Sequence, residues 1–183
     1  MALWLVAYAV QRAFIDRKLA AGRQVIGWKI GLTSRAMQQQ LNITTPDSGV
    51  LLDDMAFASG ATIPADRFIA PRIEAEIAFV MKAPLAGEVT RDQVLAATDH
   101  VTPALEILDT RIVRAEGGKT RTIIDTISDN AANAGIVMGS HRHTPTTDLR
   151  WVGAIVKRDG VVEETGLGAG VLDDPVTGIV WLA

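Results

Sequence analysis

The stretch at residues 71–81, PRIEAEIAFVM, constrains the fold of this chain more than any other. Apolar and polar residues alternate along it with period two, and this pattern predicts a β-strand. Glu74 and Glu76 then lie on one face, one pleat apart, opposite a face of isoleucines and Phe79. Two carboxylates this close repel each other and are costly to bury, and a divalent cation between them removes both penalties. The alternative is a solvated strand face on which Arg72 pairs with the acids.

A third acid, Glu106, stands alone among apolar residues in the run VTPALEIL, which predicts another strand. The chain has no cysteine, and none of its histidines lies within five residues of these acids in the sequence. Three carboxylates without sulfur or nitrogen ligands suit a hard cation, Mg²⁺ or Mn²⁺, with coordination positions left for water and substrate.

Composition narrows the class of protein. With 183 residues, 48% of them hydrophobic and 21% charged, the chain can bury a substantial core. The net charge of −3 and the lack of a basic cluster argue against nucleic acid as a partner. Residues 1–11 carry no charge, but they are too short to span a membrane and lack a basic leader. We interpret them as the start of a buried helix in a cytoplasmic protein; an export signal is the alternative.

The order of predicted elements indicates an α+β fold with a curved sheet or roll, because strands and helices do not alternate regularly. A helix is predicted over residues 7–21, with Val10, Phe14 and Leu19 along its inward stripe. The further elements are a strand pair around Ile63 and Phe68, a helix from Thr90 to Val101, a hairpin turning at Asp159-Gly160 and a helix from Pro175.

Two further residues stand out as candidates for chemistry. Lys29 lies between Gly27 and Gly31 on one face of a predicted strand, which leaves room around its amine for a ligand. A solvated lysine that protects an edge strand from aggregation is the alternative. Asp47 lies in the segment TTPDSG, where an aspartate is commonly only a turn former.

The segment at residues 125–133 is dense in aspartate, serine and asparagine, and it contains Ser128. This density predicts either hydrogen bonding to a ligand or capping of a helix.

Several stretches together resemble the hydratase/decarboxylase branch of the fumarylacetoacetate hydrolase superfamily, whose members act on 2-hydroxydienoates derived from aromatic compounds. The stretches are GWKIGLTS, PDSGVLLDDM, PRIEAEIAFV, PALEILDTRI, DTISDNAANAG and the tail from EETGLGAGVL to the end. The resemblance implies a mixed β-roll, a homo-oligomer and a small 2-oxo acid as substrate. It also implies site residues: Glu74, Glu76 and Glu106 as ligands of Mg²⁺ (or Mn²⁺), Lys29 as acid/base with Asp47 beside it, and Ser128 at the substrate.

The implied activity is the addition of water to a 2-oxoalkenoate dicarboxylate, with the pKa of Lys29 lowered by burial near the cation. Arg72 or Arg111 would bind the distal carboxylate, unless both are structural ion pairs. A 2-oxo acid decarboxylase with the same residues and a non-catalytic subunit are the alternatives.

The same resemblance implies two parts, an N-terminal helical segment (1–24) and a metal-binding catalytic roll (25–183). Family members are longer at both ends, so we expect a truncated roll that self-associates.

Overall fold

The computed structural model describes residues 2–183 and confirms the α+β class. Met1, the first residue of the predicted uncharged start, lies outside the described residues. The helices are α1 (Ala2–Ala20), α2 (Arg35–Gln40), α3 (Arg91–Ala97), α4 (Ile123–Ser128) and α5 (Pro175–Leu182). The strands are β1 (Val25–Gly31), β2 (Asp47–Leu52), β3 (Ala56–Phe57), β4 (Arg72–Met81), β5 (Thr98–Leu108), β6 (Ala115–Glu116), β7 (Lys119–Thr120), β8 (Asn133–Met138), β9 (Gly153–Arg158) and β10 (Val161–Leu167).

The chain divides into two compact units. The first comprises the described residues up to Gly31 together with Asp47–Glu74 and Leu105–Met138. Within it β1 and β2 form an antiparallel pair in which Lys29 faces Gly49 and Gly31 faces Asp47. A small core of Ile15, Leu52 and Met55, with Phe14 and Val50 against it, supports this pair from the side of α1.

Helix α1 buries a different stripe from the one predicted. Val10 and Leu19 are exposed, whereas Ala7, Gln11 and Ile15 are buried, one helical turn apart from one another. Gln11 is accommodated because its side-chain amide donates to the carbonyl oxygens of Ser48 (2.8 Å) and Ile127 (3.0 Å). Phe14 packs against the core as predicted. The prediction was wrong for Val10 and Leu19 because it counted only apolar residues as inward, and a satisfied amide takes one core position here.

Strands β4 and β5 carry the three acids. They are neighbours at one side of a four-stranded sheet with the order β3-β8-β5-β4, in which β3 and β8 run parallel. The predicted strand β4 is confirmed, but its burial does not alternate, because residues 72–75 are exposed and residues 76–80 are half-buried. The predicted helix after Thr90 begins with the expected capping box but ends at Ala97, because the next residue, the β-branched Thr98, already belongs to β5.

The second unit comprises Leu32–Pro46, Ala75–Ala104 and Gly139–Ala183. Its core consists of Val94, Val101, Leu149 and Val176. The predicted hairpin of β9 and β10 is confirmed, with positive φ at both Asp159 and Gly160. The predicted helix from Pro175 is confirmed as well, with the Asp174 side chain as its N-terminal cap.

The predicted strand pair around Ile63 and Phe68 is wrong. A short 3-10 helix, Ala65–Arg67, occupies this segment of the first unit. Pro64 precedes it with φ −57°, a value suited to entering a helical turn, and proline cannot donate to a ladder of strands.

Over the part of the chain that the structure describes, no helix combines the length and apolar character needed to cross a membrane.

Candidate active site

Lys29 and Glu106 form the centre of the site. Lys29 Nζ lies 3.3 Å from Glu106 Oε1, and their side chains are only 11% and 6% exposed. This burial excludes the solvated edge lysine considered from the sequence. The two groups form an ion pair without hydrogen-bond alignment, so Glu106 Oε1 remains a buried acceptor.

Gly31 makes the space in which the amine and a second acid meet. A Cβ atom at this position would lie 3.0 Å from Lys29 Nζ and closer still to Asp47 Oδ1. A real Cβ atom does not fit there without displacing both groups. The glycine after Lys29 is therefore needed for the packing of the site, and not only for room around a mobile side chain.

Asp47 is the first residue of β2 and is almost completely buried. The next residue, Ser48, is held by helix α1: its backbone N–H donates to the Tyr8 hydroxyl at 3.1 Å and its carbonyl accepts from Gln11 at 2.8 Å. Asp47 Oδ1 has no hydrogen-bond partner among the described residues. A buried carboxylate oxygen without a partner is costly unless a proton, a cation or a ligand meets it.

Burial and mutual charge shift the pKa values of this group. Burial raises the pKa of Glu106 to about 7, while the Lys29 ammonium opposes the rise and Glu74 adds to it. Burial likewise raises the pKa of Asp47 against the opposing charge of Lys29. For Lys29, burial lowers the pKa, but Glu106, Asp47 and Glu74 outweigh it, so the pKa is raised. The lowered pKa expected from the sequence considered burial near a cation and did not include the charges of these three anions.

The carboxylates of Glu74, Glu76 and Glu106 form a group that could hold a metal ion. One oxygen from each lies within 4.8 Å of the others. Glu106 is buried, Glu76 is half-buried and Glu74 is exposed, so the group is wet at one side. An all-oxygen donor set, with a buried Glu106 oxygen that accepts no hydrogen bond, fits a hard cation such as Mg²⁺.

The chain is similar to proteins of known activity over nearly all of its length. It is 53% identical to the 2-oxo-hept-4-ene-1,7-dioate hydratase of Escherichia coli over 181 residues, which is 97% of this chain and 68% of that one. It is 43% identical to the 2-keto-4-pentenoate hydratase of Paraburkholderia xenovorans, over 97% of this chain and 65% of that one. The chain belongs to the hydratase/decarboxylase branch of the fumarylacetoacetate hydrolase superfamily.

A solved structure of the same branch has the same fold. The 4-oxalocrotonate decarboxylase from Pseudomonas putida G7, complexed with magnesium and adipate, matches with a TM-score of 0.89 at 36% identity over 98% of this chain and 68% of that one. This chain thus spans about two thirds of the length of these relatives. No family model matches the sequence.

In this chain, a turn of left-handed backbone conformation at residues 130–132 is hydrogen-bonded to β2. Asn130, Ala131 and Ala132 are buried and have φ of 54–56°, a conformation that non-glycine residues rarely adopt. The Asn130 side-chain amide is hydrogen-bonded to both backbone groups of Val50. It accepts from the Val50 N–H at 2.8 Å and donates to the Val50 carbonyl oxygen at 2.9 Å. A Cβ atom at Gly49 would lie 2.6 Å from the Asn130 carbonyl oxygen, so only glycine permits this approach.

Arg111 supports the left-handed turn. Its guanidinium donates to the Asp129 carboxylate (2.5 Å) and to the carbonyl oxygens of Asp129 (2.7 Å) and Asn133 (3.2 Å). Ser128, the last residue of α4, is half-buried, and no hydrogen bond joins it to the acids within residues 2–183. The structure thus brings Lys29, Asp47 and the three glutamates together, whereas the guanidinium of Arg111 is bonded to Asp129 and Asn133.

Sequence reasoning missed Arg121. It directly follows the small hairpin that β6 and β7 form. Arg121 Nη1 donates to the buried Thr110 hydroxyl at 2.6 Å. Its charge lowers the pKa of Asp47, which places it in the electrostatic surroundings of the site. No local pattern in the sequence marks this residue, because the contact depends on where the hairpin folds back.

Proposed function

We propose that this chain is a hydratase that adds water to the carbon–carbon double bond of a 2-oxoalkenoate through its 2-hydroxydienoate tautomer. The product is a 4-hydroxy-2-oxo acid. The observation that carries the proposal is the buried group of Lys29, Asp47 and Glu106 beside two further carboxylates. The 53% identity to a hydratase of a seven-carbon dioate supports it.

Glu74, Glu76 and Glu106 would hold Mg²⁺, or Mn²⁺, in this proposal. The bound cation supplies positive charge that stabilises the negative charge developing on the C2 oxygen of the 2-oxo acid. Magnesium in a related decarboxylase structure supports this choice of metal.

Lys29 acts as the general acid in the proposed reaction. Its three anionic neighbours raise its pKa, so the amine is protonated at neutral pH and has a proton to deliver to a substrate carbon. The strand pairing of Lys29 with Gly49 and the ion pair with Glu106 hold the amine in place. A positioned acid of this kind contributes about a hundredfold or more to the rate.

Asp47 acts as the partner base in the same scheme. Its unpartnered Oδ1 is an acceptor for a proton of the attacking water. Burial raises the pKa of its carboxyl, which makes the carboxylate a stronger base than an exposed aspartate. Proton donation by Lys29 and proton acceptance by Asp47 balance over the addition of one water molecule.

Decarboxylation is the second candidate, favoured by the fold match to 4-oxalocrotonate decarboxylase. The purified chain would be incubated with Mg²⁺ and a 2-hydroxydienoate dicarboxylate, and the products would be identified. A hydrated 2-oxo acid supports the hydratase, and release of CO₂ supports the decarboxylase. The matched variant Glu106→Gln keeps the shape of the side chain but should lose turnover. Absence of turnover by the unmodified chain with Mg²⁺ bound would instead favour a non-catalytic subunit.

A homo-oligomer is part of the proposal. Helix α1 exposes Leu3, Leu5, Val6 and Val10 to solvent, and a surface this apolar favours a protein partner. We expect light scattering to give a mass above that of one chain, and Leu5→Glu to lower it. A monodisperse monomer would contradict this part of the proposal.

A further inference from the structure

Arg114 and Arg121 face each other across the base of a hairpin. Arg114 directly precedes β6 and Arg121 directly follows β7, and the Arg121 N–H donates to the Arg114 carbonyl at 2.8 Å. Like charges directly opposite each other on paired strands are destabilising. Such an arrangement is stabilised when an anion lies between the two side chains.

Arg72 adds a third positive charge. Burial is the largest cause that lowers the pKa of Arg121, and the charges of Arg114 and Arg72 add to it, while Asp129 and Asp125 oppose it. The three guanidiniums therefore share one region. Throughout residues 2–183, none of the three forms a salt bridge with a carboxylate. Arg111 differs from them in this respect, because Asp129 and two carbonyl oxygens already occupy its guanidinium.

Arg121 is the member of this trio that lies nearest to the chemistry. Its guanidinium is fixed by the hydroxyl of Thr110, two residues beyond the end of β5, and Thr110 lies four residues after Glu106. At about 3.3 Å per residue, these two positions are at most roughly 13 Å apart along the chain. The guanidinium also acts on the pKa of Asp47. A planar, fixed guanidinium is the side chain best suited to a carboxylate.

We infer that Arg121, assisted by Arg72 and Arg114, binds the second carboxylate of a dicarboxylate substrate whose 2-oxo acid end lies at the three glutamates. This inference rests on the proposed function and specifies its substrate class. It assigns the preference for a dioate to a basic subsite that is formed by residues distant in sequence.

The test compares ligands that differ in one carboxylate. Calorimetry with Mg²⁺ present would measure the affinity for adipate and for hexanoate, which have the same number of carbons. We expect the unmodified chain to prefer adipate by about tenfold or more, and Arg121→Gln to lose that preference. Arg121→Lys should restore part of it, since it keeps the charge without the planar fork. Arg158→Gln is the matched control, because Arg158 is the last residue of β9 in the other hairpin and its guanidinium pairs with Glu163.

Kinetics provide a second readout. With a dicarboxylate 2-hydroxydienoate, Arg121→Gln should raise KM about tenfold to a hundredfold with little change in kcat, and KM for 2-hydroxypenta-2,4-dienoate should stay the same. Arg114→Gln, which leaves the Thr110 contact in place, should shift KM in the same direction by less.

In the calorimetry, no preference for adipate in the unmodified chain, or an intact preference in Arg121→Gln, would overturn the inference. In the kinetics, an equal rise in KM for both substrates in Arg121→Gln would overturn it as well. If no substrate is turned over but Arg121→Gln still loses its preference for adipate, the proposed activity fails and the subsite stands.

Discussion

Lys29 Nζ and Glu106 Oε1 lie 3.3 Å apart in an ion pair that is almost closed to water. The same glutamate is one of the three carboxylates that could hold a cation. The Lys29 ammonium and a metal ion therefore compete for the Glu106 carboxylate. Both are positively charged, so each of them lowers the pKa of that carboxyl. This relationship leads to expectations that separate the lysine's role in catalysis from its role in binding.

Replacing Lys29 by methionine should lower kcat by about a hundredfold or more, because the general acid is lost. Mg²⁺ affinity should stay the same or increase, since a competing cation is removed from Glu106. Steady-state kinetics and calorimetry measure the two effects, with Lys157→Met as an exposed control on β9. Weakened Mg²⁺ binding together with unchanged kcat would mean that the lysine is structural.

The affinity for Mg²⁺ should rise with pH up to about pH 7 and then level off. Burial raises the pKa of Glu106 to about 7, so below that pH a proton occupies the carboxyl that the cation requires. Calorimetry at a series of pH values measures this dependence. In Glu106→Gln the affinity should be low throughout, and the step near pH 7 should be absent. A step of the same size in that variant would assign it to another group.

The metal-free protein should lose stability as the pH rises from about 4.5 to 7. Glu106 has a higher pKa when folded than when unfolded, so its contribution is complete below the unfolded pKa of 4.5 and is lost as pH rises through about 7. The raised pKa of Asp47 acts in the same direction. The contribution of Glu106 is on the order of 3 kcal/mol. Urea denaturation in the presence of a chelator measures it.

Glu106→Gln cannot ionise, so this variant should show a much smaller loss of stability over that pH range. If its stability fell as steeply as that of the unmodified chain, the explanation based on Glu106 would be wrong.

Gly31→Ala should reduce activity tenfold or more, since the added methyl group meets Asp47 and Lys29 at less than contact distance. Gly27→Ala is the matched control on the same face of β1. Its methyl group would lie 3.4 Å from Leu51 Cδ1, an ordinary contact, so near-normal activity is expected. Equal kcat/KM values in the two variants would show that the close packing around Gly31 has no role in the reaction.

Asn130→Asp should destabilise the fold by about 3 kcal/mol, because the Val50 carbonyl loses a donor and a buried carboxylate faces it instead. Asn42→Asp is the control, since Asn42 also has positive φ (52°) but is exposed. Chemical denaturation of both variants decides the question. Similar free energies of unfolding would mean that the hydrogen bonds between Asn130 and Val50 contribute little to the stability of the fold.

The sequence alone determined the features that follow from local covalent geometry. Strand pleating places Glu74 and Glu76 on one face wherever β4 lies, and the Asp159-Gly160 pair favours a tight hairpin turn regardless of its surroundings. The helix starts at Thr90 and Pro175 depend on only a few neighbouring residues, so they were also predictable.

Only the tertiary structure decided which residues from distant parts of the chain contact each other. Gln11 is buried because Ser48 and Ile127, far along the chain, supply its acceptors, and no periodicity of apolar residues contains that information. The pKa of Lys29 is raised because three acids from other strands surround it, whereas the prediction from burial near a cation had the opposite direction. Arg121 belongs with Asp47 because a hairpin folds back beside β5. Long-range contacts depend on how the whole chain packs, and packing is not a property of any single segment.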